Sequence, residues 1–273
     1  MNVKKPLELD ASGFNAVRMC RHGPMVYNKN DVYIGRALEK YGESSEIEQE
    51  FFQQIVRAGH LVVEVGANIG THTVGLSKLV GPSGVVLAFE PQRLVFQSLC
   101  ANLALNQCAN VYAFNEALGA QSGEVVVPAP NPFVQNNFGG LSLIGATSGD
   151  RVRMRTLDSL QLGACHFLKA DVEGMEIDVL RGALETIAKF RPAVYVENDR
   201  AEKSKELIEL VFGIGYHAYW HLPPLFNPNN FAKDQENAFP GVVSINMLCI
   251  PAEAAVKVEG MRRIVSPTDS WGG

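Results

Sequence analysis

Leu61-Val62-Val63-Glu64-Val65-Gly66-Ala67-Asn68-Ile69-Gly70 is the stretch on which the fold turns. Its first half is apolar apart from Glu64, as in a central strand buried on both faces of a parallel sheet. It ends in a glycine-rich turn, and Thr71 to Lys78 then reads as a short helix. Strand, turn and helix in this order form the first unit of a nucleotide-binding α/β fold. The glycines let backbone approach a ligand closely, and the helix N-terminus favours negative charge there.

The spacing narrows the choice of nucleotide. A dinucleotide fingerprint aligned on Gly66 needs glycine at positions 68 and 71, which are Asn68 and Thr71. What remains, acidic-x-Gly-x-x-x-Gly, resembles motif I of the S-adenosylmethionine-dependent methyltransferases, where the turn cradles a methionine moiety. A second apolar strand, Val85 to Phe89, ends in Glu90-Pro91. Pro91 suits the first position of a following helix, and Glu90 stands where an acid hydrogen-bonds ribose hydroxyls in such folds.

A chain of 273 residues with 47% hydrophobic composition can bury a full core. Its formal net charge of -5 creates no basic field for nucleic acid. Cys20, Cys100, Cys108, Cys165 and Cys249 are odd in number and lack CxxC spacing, as expected of free thiols in a reducing cytosol. Met1 to Asp10 has lysines without a following apolar segment, and no apolar run approaches the ~18 residues that span a bilayer. A cytoplasmic protein without a membrane span is expected, with homo-oligomerisation left open.

Residues 1–45 mix polar and aromatic residues irregularly and read as a packing arm ahead of a domain over 46–273. Ser45-x-x-Glu48 has the form of a capping box, followed by Ile47, Phe51, Phe52, Ile55 and Val56 at helical spacing. Arg93 to Leu105 reads as helix, and Val111 to Glu116 as a third strand. Residues 124–155 read as a hairpin-like insertion whose Pro-, Asn- and Gly-rich loop, 128–150, is a candidate lid. Phe167 to Ala170 is a fourth strand, Ile177 to Ile187 a helix, and Ala193 to Glu197 a fifth strand. A helix around 205–212 and strands near 216–221 and 244–250 follow, around a second long loop at 223–240. Residues 252–273 show weak periodicity and are expected to lie loosely on the surface.

Four strands thus end in polar or acidic groups: Glu64 with its turn, Glu90, Asn115-Glu116 and Asp171. Doubly wound sheets place ligands outside the carboxyl ends of their strands. Methyl transfer from a sulfonium needs in-line positioning and often a base for the acceptor hydroxyl. Asp171 is the best base candidate, with Lys169 and Glu173 on its side of the strand by alternation. Lys169 can pair with Asp171 or polarise an acceptor, and Glu173 suits a helix start. Glu197, at the end of the fifth strand, is the fallback base. The six histidines show no metal-ligand spacing. A magnesium ion on Asp171, Glu173, Glu197 or Asp199 is an alternative ranked below a metal-free mechanism.

Lys169-Ala170-Asp171-Val172-Glu173-Gly174-Met175-Glu176, with Leu180-Arg181-Gly182-Ala183, the Gly66 turn and Phe89-Glu90-Pro91, resembles the FkbM methyltransferase family over roughly residues 45–200. A subgroup resemblance extends to Asp31-x-Tyr33-Ile34-Gly35-Arg36 and Tyr41-Gly42-Glu43, which makes the arm a wall of the site. The resemblance implies a Rossmann-like class I methyltransferase, with a seven-stranded mostly parallel sheet, helices on both faces and an inserted hairpin. It implies S-adenosylmethionine-dependent O-methylation of a hydroxyl on a sugar or other small natural product. Expected cofactor contacts are Tyr41 and Glu43 from the arm, and Glu64, Gly66, Ala67, Asn68, Gly70 and Thr73 from the first unit. Glu90, Pro91, Asn115, Glu116, Ala117 and Asp171 follow from the later strand ends. Two competing readings are a nicotinamide-dependent oxidoreductase, disfavoured by Asn68, and a module that binds the nucleoside without turnover.

Overall fold

The computed structural model describes residues 12–272 and the backbone of Leu7–Glu8. Most of Met1–Asp10, read above for a leader, lies outside the described residues. The chain opens with β1 (Leu7–Glu8), β2 (Asn15–Cys20), β3 (Gly23–Asn28), α1 (Ile34–Tyr41) and α2 (Glu46–Phe52). The central unit is β4 (Leu61–Val65), α3 (Thr71–Val80), β5 (Val85–Phe89), α4 (Arg93–Leu105) and β6 (Val111–Phe114). β7 (Ala117–Leu118), β8 (Gly123–Val127) and β9 (Asp150–Arg155) form a separate small sheet. β10 (Phe167–Ala170), α5 (Glu176–Arg181), α6 (Leu184–Phe190), β11 (Ala193–Glu197), α7 (Ala201–Gly213), β12 (Tyr216–His221), β13 (Asn246–Pro251) and β14 (Arg262–Ile264) complete the chain.

The main sheet runs β14-β12-β13-β11-β10-β4-β5-β6. The pairs from β11 through β10, β4 and β5 to β6 are parallel, and β13 inserts antiparallel between β11 and β12. This is the expected doubly wound arrangement with eight strands in place of seven. The extra strand comes from the segment expected to lie loosely. Ile264 is 2% exposed against the core, and Arg262 and Trp220 both donate to Asp269, so β14 closes the β12 edge.

Alternation along each strand builds two cores. Val62, Val86 and Phe167 pack with Phe52, Leu76 and Val80 beneath α2 and α3. Val63, Val65, Leu168 and Val194 pack on the other face with Ile177, Ile187 and Leu207 from α5, α6 and α7. The predicted helix over Ile177 to Ile187 breaks in two at Gly182. A Cβ there would meet the Gly119 carbonyl oxygen at 2.0 Å, so the break lets the chain pass close to the small sheet.

The arm is more regular than its composition implies. β2 and β3 form a hairpin with a two-residue turn at Arg21-His22, and β3 lies on α4. Met25, Tyr27 and Leu38 share a core with Val95 and Leu99. Asn102 of α4, fully buried, accepts from Val26 N–H and donates to the Val26 and Ile69 carbonyls. One side chain therefore fixes the arm to the glycine turn.

Candidate active site

The turn after β4 is held open by its own backbone. The amides of Gly66 and Ala67 both donate to the Phe89 carbonyl at 2.9 Å, which ties the turn to the end of β5. Asn68 is left-handed with φ 51°, and Gly66 has φ 79°. A Cβ on Gly66 would stand 1.8 Å from the Asp171 carbonyl oxygen. Position 66 thus requires glycine twice over, for its φ and for the approach of β10. Gly66→Ala is expected to lower the melting temperature sharply. Gly81→Ala, with φ 63° but nothing within 4 Å of its Cβ, should show only the smaller cost of backbone strain.

Around this turn lies a cleft in two connected chambers. The inner one is walled by Pro91, Ala117, Leu118, Leu141, Leu143 and Met175, and Glu116 also lines it. The outer one, wider and open to solvent, is lined by Lys169, Asp171, Glu173, Glu197 and Asp199. Leu225, Val242, Val243 and Ile245 also line it, and the Asn198 N–H donates to the Ile245 carbonyl beside Glu197 and Asp199. Gly66, Glu90, Gly139, Asp171 and Glu173 border both chambers.

Glu90 sits at the junction, 4% exposed. Its Oε2 accepts from Asn68 N–H at 2.9 Å and its Oε1 from Gln92 N–H at 2.8 Å. Burial pushes its pKa up to about 7 against the pull of those two amides. Asn115 donates to the Glu90 and Pro91 carbonyls and so shapes the β5 loop without lining either chamber. Glu116 pairs with Arg155 at 3.3 Å and Arg153 at 3.5 Å.

Glu64 and Lys169 are cross-strand partners in the β4–β10 ladder. Both are buried, at 1% and 2% exposure, and Lys169 Nζ donates to Asp171 Oδ2 at 3.1 Å. Thr73 donates to Glu64 Oε2 at 2.7 Å, so Thr73 fixes the acid rather than lining a chamber. Burial pushes Glu64 up to about 7, opposed by the Lys169 charge and the Thr73 hydroxyl. Burial also works against the Lys169 charge, but Asp171, Glu64 and Glu48 together raise its pKa. Glu48 is the member the sequence concealed. Ser45 is left-handed, with φ 51° and no side-chain cap, so the expected capping box does not form. Glu48 instead points into the interior, 4% exposed, where burial raises it to about 7 against the Lys169 charge. His72, buried nearby, is held neutral with a pKa near 3 by burial and by Lys169.

Glu173 is left-handed, with φ 55°, in the turn before α5 and accepts from Arg200 at 2.5 Å. Its pKa rises to about 8, through burial and the neighbouring Asp171 charge. Glu176 Oε1 takes the Val172 and Gly174 amides at 3.0 Å each and holds the turn that carries Asp171 and Glu173. Glu197 lies close by, and burial raises its pKa well above the ordinary carboxylate range.

Of the residues expected to touch cofactor, Tyr41 and Glu43 are not brought to the cleft. Tyr41 O–H donates to the Glu236 carbonyl and accepts from Ala238 N–H, and its ring packs on Phe226 and Phe239. Glu43 is taken up by Arg21, Asn227 and Phe231 N–H. Both anchor the 223–240 loop, while Tyr33, Ile34 and Ser45 line the outer chamber in their place. Gly70 caps α3 behind the turn and borders neither chamber. The insertion supplies the roof. Gln92 donates to the Phe138 carbonyl at 2.8 Å, and a Cβ on Gly139 would lie 2.7 Å from Asn68 Nδ2. Backbone hydrogen bonds from Val32 to Asn136 and from Asn136 to Asn30 join that roof to the arm.

Among the described residues, no helix is long and apolar enough to cross a membrane. The five cysteines are free thiols.

Sequence comparison places residues 64–218 in the methyltransferase FkbM domain. "Methyltransferase 1" of Beauveria bassiana is 27% identical over 143 residues, 44% of this chain and 57% of that protein. "Hexuronic acid methyltransferase AglP" of Haloferax volcanii is 28% identical over 154 residues, 54% of this chain and 60% of that protein. The chain therefore spans about three fifths of the length of these curated relatives. The crystal structure of Methyltransferase FkbM from Methylobacillus flagellatus KT is 19% identical, with 74% of this chain and 50% of that one covered at a TM-score of 0.47. The domain match runs from the carboxylate of β4 into β12 and takes in more than half of the sequence, and the chain belongs to the methyltransferase FkbM family.

Proposed function

We propose that this protein transfers a methyl group from S-adenosylmethionine to a hydroxyl of a sugar or other small natural product. The carrying observation is that the Gly66 turn, Glu90 and the Lys169–Asp171 pair border one two-chambered cleft. The inner chamber has the apolar walls that suit a heteroaromatic base. Glu90, between the chambers, keeps free lone pairs on both oxygens for ribose hydroxyls. When bound, S-adenosylmethionine supplies an electrophilic methyl group with a thioether as leaving group.

On this reading, Asp171 takes the proton of the acceptor hydroxyl as the oxygen attacks, and Lys169 fixes the orientation of the carboxylate. The apolar residues that line the outer chamber help to position the acceptor and exclude water. The hexuronic acid methyltransferase among the relatives supports a sugar acceptor. Six acidic side chains, Glu64, Glu90, Asp171, Glu173, Glu197 and Asp199, line the outer chamber, so a neutral glycoside is the first acceptor to test. Tritium transfer from labelled S-adenosylmethionine into a panel of glycosides, uronic acids and small metabolites tests the activity directly. The absence of transfer to any hydroxyl compound would remove the reading.

Glu90→Ala deletes an acceptor of ribose hydrogen bonds and frees two backbone amides. Losing a hydrogen bond to a charged group costs about 1.5–3 kcal/mol, so cofactor affinity should fall roughly ten- to a hundred-fold. Unchanged affinity by calorimetry would take Glu90 out of the binding site.

A further inference from the structure

We infer that Asp171, Glu173 and Glu197 form a binding site for one divalent, oxygen-preferring cation at the acceptor end of the cleft. One carboxylate oxygen from each lies within 4.8 Å of the others. The three come from separate places in the chain: the end of β10, the left-handed turn after it and the end of β11. The second observation is Glu197 Oε2, which is shielded from solvent and receives no hydrogen bond among the described residues. A buried carboxylate oxygen without a donor is costly unless something cationic or protic meets it. Lys169 is already bonded to Asp171, and Arg200 to Glu173. Neither of these hydrogen bonds is made to Glu197.

Three carboxylates without sulfur or imidazole select a hard cation such as Mg²⁺ or Mn²⁺. Such a cation keeps open positions for water or for ligand oxygens. The outer chamber lies directly in front of the three acids, so two neighbouring hydroxyls of a sugar can replace two waters. The inference rests on the methyl-transfer reading only for this last step. Asp171, with about four lone-pair sites, can hold Lys169 and the cation and still accept the hydroxyl proton. The methyl carbon then loses its bond to sulfur, which keeps the electron pair, and gains one to the acceptor oxygen.

The test uses the whole protein and Mn²⁺ alone, with neither cofactor nor acceptor present. Electron paramagnetic resonance should find one Mn²⁺ per chain, displaced by Mg²⁺. Glu197→Gln and, as a second variant, Glu173→Gln should each weaken it by about ten-fold or more, with circular dichroism unchanged. No Mn²⁺ bound, or equal binding by both folded variants, would overturn the cation site. Methyl transfer measured after chelation reports separately. Transfer that survives chelation in a protein without a Mn²⁺ site leaves the function standing and the cation site refuted. Mn²⁺ binding without any transfer has the opposite meaning.

Discussion

Asp171→Asn should lower turnover by about 10²–10⁴-fold while S-adenosylmethionine affinity changes little. Asn keeps the size and one acceptor of the carboxylate but removes its basicity. The position suits chemistry more than affinity. Asp171 borders both chambers at the end of β10, with a half-exposed side chain, whereas Glu90 and the glycine turn are the polar contacts proposed for the cofactor. Single-turnover kinetics with saturating cofactor, alongside calorimetry, separates the two effects. Near-normal turnover would move the base to Glu173 or Glu197. A proportionate loss of affinity and stability would make Asp171 a support for the turn.

Lys169→Met should destabilise the fold by about 3–5 kcal/mol at pH 8, because it strips the cation from a buried cluster. Lys169 is 2% exposed and serves Glu64, Glu48 and Asp171 together. The loss should depend on pH in a defined direction. Glu64 and Glu48 have folded pKa values of about 7 against ordinary values of 4.5. Between those limits the folded state binds more protons than the unfolded one, so their contribution is fully present below about 4.5 and lost as pH rises through 7. At pH 5.5 both acids are mostly neutral and need no cation, so the variant should sit much nearer the parent than at pH 8. Melting curves at the two pH values check this. Adding Glu64→Gln to Lys169→Met should recover part of the loss at pH 8, as removal of both charges of a buried pair generally does. A loss that is equal at both pH values would mean that packing, and not charge, is what Lys169 supplies.

The sheet and the ends of its strands were legible because each parallel strand is an apolar run that stops at a polar residue. Glu64, Glu90 and Asp171 could be placed at one rim on that ground alone, and the cleft lies there. The hairpin β2–β3 was not legible. Arg18 occupies an inward position at 6% exposure, so the alternation of Ala16, Arg18 and Cys20 does not read as apolar and polar. β14 escaped for a similar reason, since Ile264 is its single inward apolar residue. Glu48 was read as a cap because its spacing from Ser45 matches one. Only the register of Lys169 opposite Glu64 reveals why that carboxylate turns inward. Local spacing likewise cannot tell that Tyr41 and Glu43 answer to a loop nearly 200 residues away, while Tyr33 and Ser45 face the cleft.

That last pairing bears on how the protein is made. Synthesis delivers the arm first. Yet Glu43 finds Asn227 and Phe231 at separations of 184 and 188 residues, and Tyr41 meets Ala238 at 197. Asn102, which satisfies Val26, comes 76 residues after it. While the chain is still growing, Glu43 has Arg21 but lacks Asn227 and Phe231, and the Tyr41 hydroxyl lacks Glu236 and Ala238. Its hairpin can dock on α4 early, but the Tyr41–Glu43 corner cannot be fixed until the 223–240 loop has left the ribosome. A nascent chain halted before that loop should carry an arm open to protease even though β4, α3 and β5 are already complete. The wall of the cleft that is translated first is the one set in place last.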